Sequence, residues 1–124
     1  MIEQPGAALD IRGALHDWYA VLHVRGEFCG DARLGARLRD AMAGLPMPDP
    51  PHVILDLAGV VSWDSWTIGA VLSSVKRVMT GGGALVVAAA PADLRAHCRR
   101  IRLDRAFPFR ETVELAVEEL RPGG

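Results

Sequence analysis

Residues 52–90 read HVILDLAGVVSWDSWTIGAVLSSVKRVMTGGGALVVAAA, and this stretch decides the fold. Its first part, residues 52–57, is a nearly continuous apolar run, which is typical of a strand buried on both faces. In the middle, apolar residues recur at helical spacing, at Ile68, Val71, Leu72, Val75, Val78 and Met79. Glycines end that helix, and residues 85–90 form a second buried run. The stretch therefore predicts a strand, a helix over residues 67–79 and another strand.

The same alternation continues on both sides of this stretch. Upstream, apolar periods predict two strands that pair as a hairpin and then a helix, at residues 8–14, 18–24 and 34–45. Downstream, they predict a helix, a short edge strand and a final helix, at residues 92–101, 107–109 and 113–120. We therefore expect an α/β sandwich with a mixed, mostly parallel sheet of about four or five strands and about four helices.

Length and composition indicate one globular domain over residues 1–124. The chain has 124 residues, of which 50% are hydrophobic and 23% are charged, so extensive disorder is excluded. A formal net charge of −1 gives no general attraction to nucleic acid or to anionic lipid. The longest apolar run, residues 84–90, is too short to cross a bilayer, and residues 1–8 carry Glu3 where a secretory leader carries basic residues. We therefore expect a cytoplasmic protein with no direct nucleic-acid partner and no membrane insertion.

Catalytic and metal-binding motifs are absent from the sequence. The chain has no GxGxxG, HExxH or GxSxG motif, and its four histidines fall on separate predicted elements. His23 alternates with apolar neighbours and is expected to be half-buried and hydrogen-bonded. Cys29 and Cys98 lack the spacing of metal ligands. The sequence allows a disulfide between them but favours two free thiols in a reducing cytosol. We therefore expect a binding protein without cofactor or metal, and not an enzyme.

The turn at residues 61–69 is the expected place for a site, because sites in α/β sheets form beyond the carboxyl ends of central strands. Asp64 and Ser65 suit the N-terminal cap of the following helix, and Thr67 adds a second hydroxyl. Capping alone explains these residues. A hydroxyl at a helix N-terminus also suits a phosphate, which free N–H groups and the helix dipole favour. The residues alone leave both interpretations open.

Two tryptophans flank the Asp64–Ser65 pair. Trp63 is expected to anchor in the core. Trp66 precedes Ile68 by two residues, which is about 200° around the helix, so it should lie outside the buried face. We expect Trp66 to be at least partly exposed and to anchor a partner protein. The alternative interpretation is that Trp66 folds over the adjacent loop as a lid that shields Ser65.

Several segments together carry a family resemblance. They are the apolar strand 52–60, the Asp64–Ser65 pair, Lys76–Arg77, the GGALVV run at 82–87 and LDRAFP at 103–108. Jointly they resemble the STAS domain of bacterial anti-sigma factor antagonists, from about residue 17 to residue 120.

The resemblance implies a phosphorylation switch. The family's phosphoacceptor corresponds to Ser65, with Thr67 as the nearby substitute, and the docking surface corresponds to Asp64, Ser65, Trp66 and Thr67. The first implied partner is an anti-sigma factor that is also a serine kinase, and the complex dissociates when this kinase phosphorylates Ser65. The second is a phosphatase that acts on phospho-Ser65. The resemblance leaves open whether the protein forms a homodimer.

The chain also departs from the family pattern. Trp66 and Thr67 replace the second hydroxyl residue and the glycine that follow Asp-Ser, and Cys29 replaces an aspartate. Three functions therefore stay open from the sequence: a phosphorylation-switched antagonist, a STAS scaffold in a stress-signalling assembly or a lipid-transport complex without a working switch, and a domain that binds a small ligand or nucleotide.

Overall fold

Five strands and four α-helices follow one another along residues 9–121, which are the residues that the computed structural model describes. The elements are β1 (Asp10–Leu15), β2 (Ala20–Phe28), α1 (Leu34–Ala43), β3 (His52–Trp63), α2 (Ser65–Thr80), β4 (Ala84–Ala88), α3 (Ala92–Arg100), a 3-10 turn (Leu103–Arg105), β5 (Phe109–Arg110) and α4 (Val113–Leu120). Among these residues, no helix is both long enough and apolar enough to cross a membrane.

The strands form one sheet in the order β1-β2-β3-β4-β5. β1 pairs with β2 as an antiparallel hairpin, and the other three pairs are parallel. Each parallel connection passes through a helix, as a crossover requires. The expected α/β sandwich with a mixed, mostly parallel sheet and four helices is confirmed.

Helices cover both faces of the sheet, but unequally. Side chains of α1, α2 and α3 pack with one set of strand residues in the larger core, including Leu38, Val75 and Leu94. The opposite face carries a smaller core, in which Ala116 and Leu120 of α4 contact alternate residues of the central strands. A central strand between two helical layers is apolar along its length, which explains the continuous run at residues 52–57.

The strand bounds differ from the predictions at the end of the sheet that carries the site. β3 continues to Trp63 instead of ending at residue 57, and β2 continues to Phe28 beyond Gly26. The two strands stay paired across two register shifts, so that Phe28 lies opposite Trp63. The extra residues of these shifts lie in β3, where they break the alternation of buried and exposed positions. β2 alternates regularly to Phe28, and its predicted end was too early because Gly26 was interpreted as the end of the strand.

The remaining bounds differ by a few residues. α2 begins at Ser65, two residues before the prediction, because the cap is Asp64. The other ends differ by one or two residues: β1 covers Asp10–Leu15, β2 begins at Ala20, α1 ends at Ala43, α2 ends at Thr80, β4 covers Ala84–Ala88, α3 ends at Arg100 and β5 covers Phe109–Arg110. Residue 8 of the predicted first strand lies outside the described part of the chain.

Candidate functional site

The carboxyl ends of β2 and β3 bring two loops together at one edge of the sheet. Phe28 and Trp63 are the last residues of these neighbouring parallel strands, and they lie side by side. The chain then continues through Cys29 and Gly30 after β2, and through Asp64 into α2 after β3. The loop after β2 therefore lies beside the N-terminus of α2.

Asp64 holds this junction together. Its Oδ1 accepts hydrogen bonds from the backbone N–H groups of Trp66 (2.9 Å) and Thr67 (3.3 Å). Its Oδ2 accepts a third from the N–H of Gly30 at 2.7 Å. Asp64 is thus both the N-cap of α2 and the link to the loop after β2. The sequence predicted the cap and missed the link.

Thr67 completes the cap from inside the protein. Its side chain is fully buried; the Oγ1 accepts a hydrogen bond from the N–H of Asp64 at 3.0 Å and donates one to the carbonyl oxygen of Phe28. The reciprocal bonds between Asp64 and Thr67 form a capping box. Since this hydroxyl is inaccessible and already bonded, the geometry disfavours Thr67 as the substitute phosphoacceptor.

Ser65 lies between these two residues but faces solvent. It is the first residue of α2 and is exposed, and its hydroxyl makes no hydrogen bond with the described part of the chain. Trp66, the next residue, is 51% exposed, as predicted from its position on the helix. Ser65 and Trp66 therefore form the accessible part of the site.

Trp63 packs inward instead. It is partly buried against the larger core, and its ring centroid lies 5.4 Å from that of His97 on α3. This matches the predicted anchor. Trp63 and Trp66 thus have different environments, although only two residues lie between them.

The loop after β2 contributes groups that sequence reasoning had not assigned to the site. Gly30 has φ +74°, a left-handed conformation that glycine adopts without strain. Cys29 Sγ lies 3.3 Å from Ser62 Oγ, and both side chains are partly buried. The available signal was Gly30, two residues after the end of β2, since a glycine there marks a turn whose N–H group can face a neighbouring loop.

Other candidate groups lie away from this site. His23 Nδ1 is 2.7 Å from Asp56 Oδ2 across β2 and β3, so this half-buried histidine is hydrogen-bonded as expected. Cys29 and Cys98 are free thiols, and burial raises the pKa of the Cys98 thiol. Among residues 9–121, no three His, Cys, Asp or Glu side chains are grouped so that they could hold a metal ion.

Comparison with known families identifies the fold. The sequence profile described as the STAS domain matches residues 7–116. The chain belongs to the STAS domain family. In this STAS domain the junction of β3 and α2 carries Asp64 and Ser65, where the sequence resemblance placed the phosphoacceptor.

Solved structures agree with this assignment. A candidate anti-sigma factor antagonist from Thermotoga maritima is 22% identical, with a TM-score of 0.75 over 90% of this chain and 94% of that chain. An anti-sigma factor antagonist from Mycobacterium paratuberculosis is also 22% identical, with a TM-score of 0.75 over 97% and 99%. A STAS domain protein from Planctomyces limnophilus is 18% identical, with a TM-score of 0.68 over 89% and 97%. At these identities the likeness shows the shared fold. No curated protein matches the chain at a significant level.

Proposed function

We propose that this STAS domain is an anti-sigma factor antagonist that binds an anti-sigma factor with serine kinase activity and is released by phosphorylation of Ser65. The observation that carries the proposal is the exposed Ser65 hydroxyl at the start of α2, at the position of the family's phosphoacceptor. The structural neighbours from Thermotoga and Mycobacterium, described as anti-sigma factor antagonists, support the same function.

The arrangement of the site supports a docking role because two of its four residues fix the backbone and the other two are accessible to a partner. Asp64 and Thr67 fix the backbone through the capping box, and their polar groups are used inside the protein. Ser65 and Trp66 project from that fixed turn into solvent. A rigid turn that presents one hydroxyl and one large aromatic side chain is suited to recognition by a partner protein.

Phosphorylation would act on this surface through charge. The N–H groups of Trp66 and Thr67 are already bonded to Asp64 Oδ1, so a phosphate on Ser65 would lie beside a carboxylate and would not find these two donors free. The modification adds about −1.5 to −2 charges at pH 7. At a docking surface that charge opposes desolvation and repels acidic groups of the partner, so we expect the complex to dissociate while the fold stays intact. A phosphatase acting on phospho-Ser65 would then restore binding.

A scaffold without a switch is the second candidate, and Trp66 favours it. Trp66 is the next residue after Ser65 and is half-exposed, so its large side chain would crowd the approach of a kinase to the hydroxyl. In that case this STAS domain would bind its partner constitutively through the same turn.

Phosphorylation by the cognate anti-sigma kinase tests the proposal. Incubation with the kinase and ATP should add one phosphate to the intact protein by mass spectrometry, and Ser65→Ala should abolish it. Met79→Ala is the control, because it truncates an exposed side chain of α2 away from the Ser65 turn. Unchanged modification of Ser65→Ala would overturn the assignment. Binding to the kinase without any modification would favour the scaffold.

A further inference from the structure

A groove between α1 and α2 lies apart from the Ser65 turn. Its volume is about 670 Å³, and Ser73, Ser74, Lys76, Arg77 and Thr80 of α2 line one side. The other side is lined by Ala32, just before α1, and by Gly35, Ala36, Arg39 and Met42. Positions 35, 36, 39 and 42 of α1 and positions 73, 76, 77 and 80 of α2 both follow helical spacing, so each side presents a stripe about two turns long, or roughly 10 Å. The groove begins at Ser73, about 12 Å along α2 from Ser65.

The rim of this groove is basic. Arg39, Lys76 and Arg77 line it and are exposed, and no acidic residue lines it. Arg39 Nε lies 3.5 Å from the carboxylate of neighbouring Asp40, whereas Lys76 and Arg77 form no ion pair within the described chain. The whole protein has a formal net charge of −1, so this positive charge is a local feature.

Helix dipoles account for only part of that charge. Arg77 lies in the last turn of α2, where a cation is favoured. The last turn of α1 contains no basic residue, so the dipole does not explain Arg39 on the opposite side. Cations that line one groove from two helices, with no acidic residue in its lining, indicate an anionic partner.

The floor of the groove allows a close approach. A Cβ atom built on Gly35 would lie 3.7 Å from Ser73 Oγ and 3.8 Å from Ala70 Cα, so the two helices nearly touch there. Ala32 and Ala36 add only methyl groups on the same side. The small side chains therefore keep the floor shallow at this end of the groove, so another chain can lie close over the two helices.

We propose that the α1–α2 groove is a second docking surface, which receives an acidic helical segment of about two turns from the anti-sigma factor; this inference rests on the proposed function. A two-turn helix matches the length of both lining stripes. Carboxylates on its two flanks would face Arg39 on one side and Lys76 and Arg77 on the other, and the arginine guanidinium groups can bind carboxylates with two hydrogen bonds. The groove adds affinity and orientation, while Ser65 controls release.

Charge reversal with a matched control tests this surface. Lys76→Glu/Arg77→Glu is compared with Arg99→Glu/Arg100→Glu, which makes the same change in net charge on exposed residues in the last turn of α3. Dissociation constants for the cognate anti-sigma factor are measured by calorimetry at low and high salt, and thermal unfolding verifies each fold. We expect the groove variant to weaken binding at least about tenfold more than the control, with a smaller difference at high salt.

The outcomes separate this inference from the proposed function. If the groove variant binds like the control while Ser65→Asp is released, the groove inference is wrong and the proposed function stands. If the unmodified protein binds no anti-sigma factor, both fail. Replacing acidic residues of the partner's segment with lysine should restore binding to Lys76→Glu/Arg77→Glu, and a failure to restore it at any such segment would also overturn the groove assignment.

Discussion

Replacing Trp66 with alanine separates a partner anchor from a structural lid. The side chain is 51% exposed and is not among the residues of either core cluster. A large aromatic side chain can bury roughly 250 Å², so about 125 Å² remains for a partner to cover. At about 25 cal/mol per Å², that area is worth about 3 kcal/mol, or about 100-fold in Kd. We expect Trp66→Ala to weaken partner binding by about 2–3 kcal/mol.

The effect on folding should be smaller. Trp66 lies in the first turn of α2, where its N–H bonds to Asp64 and the substitution leaves the backbone bond in place. Alanine also has the higher helix propensity. We therefore expect the free energy of unfolding to fall by no more than about 1 kcal/mol.

Both quantities are measured on the same variant, with Trp63→Ala as the contrast. Calorimetry with the cognate anti-sigma factor gives the Kd, and urea titration gives the free energy of unfolding. Since Trp63 packs against the larger core, its removal should cost about 2–3 kcal/mol of stability. A large loss of stability in Trp66→Ala with unchanged affinity would refute the anchor role and identify Trp66 as a lid over the turn.

Three further predictions concern the framework of the site. Asp64→Ala removes the acceptor of three backbone N–H groups, so we expect the free energy of unfolding, measured by urea titration, to fall by about 2–3 kcal/mol. A decrease of less than about 0.5 kcal/mol would contradict the role assigned to the Asp64 carboxylate. Thr67→Val leaves the Phe28 carbonyl without its hydroxyl donor and should cost about 2 kcal/mol; a neutral effect would mean that the buried bond is dispensable. Ellman's reagent should label Cys29 in the native protein and Cys98 only on unfolding, because Cys98 is buried and burial raises the pKa of its thiol. Rapid reaction of both thiols in the native protein would contradict this prediction.

The order of elements was predictable because apolar spacing records which faces are buried. The predicted stripe on α2 packs against the larger core, except for Met79, which is exposed. The continuous apolar run of β3 reflects burial between the two cores, since Val53 and Leu55 lie in the larger core and Ile54 lies in the smaller one. The position of Trp66 followed from helical geometry alone. These features depend on local periodicity, which a sequence expresses directly.

The connections of the site depended on contacts between distant residues. The hydrogen bond from the Gly30 N–H to Asp64 joins two loops that are 34 residues apart in sequence. The buried Thr67 hydroxyl likewise donates to the carbonyl oxygen of Phe28, the last residue of β2. No local period encodes such pairs. Both form because β2 and β3 stay paired beyond their predicted ends, as far as Phe28 and Trp63.

The most direct test of the antagonist proposal compares one partner's affinity for two forms of this STAS domain. The protein carrying phosphate on Ser65, verified by mass spectrometry, and the unmodified protein are titrated against the cognate anti-sigma factor by calorimetry. Because the phosphate adds about −1.5 to −2 charges beside Asp64, we predict at least about tenfold weaker binding, with thermal unfolding essentially unchanged. Equal affinity of the two forms, or failure of the unmodified form to bind, would contradict a Ser65 switch.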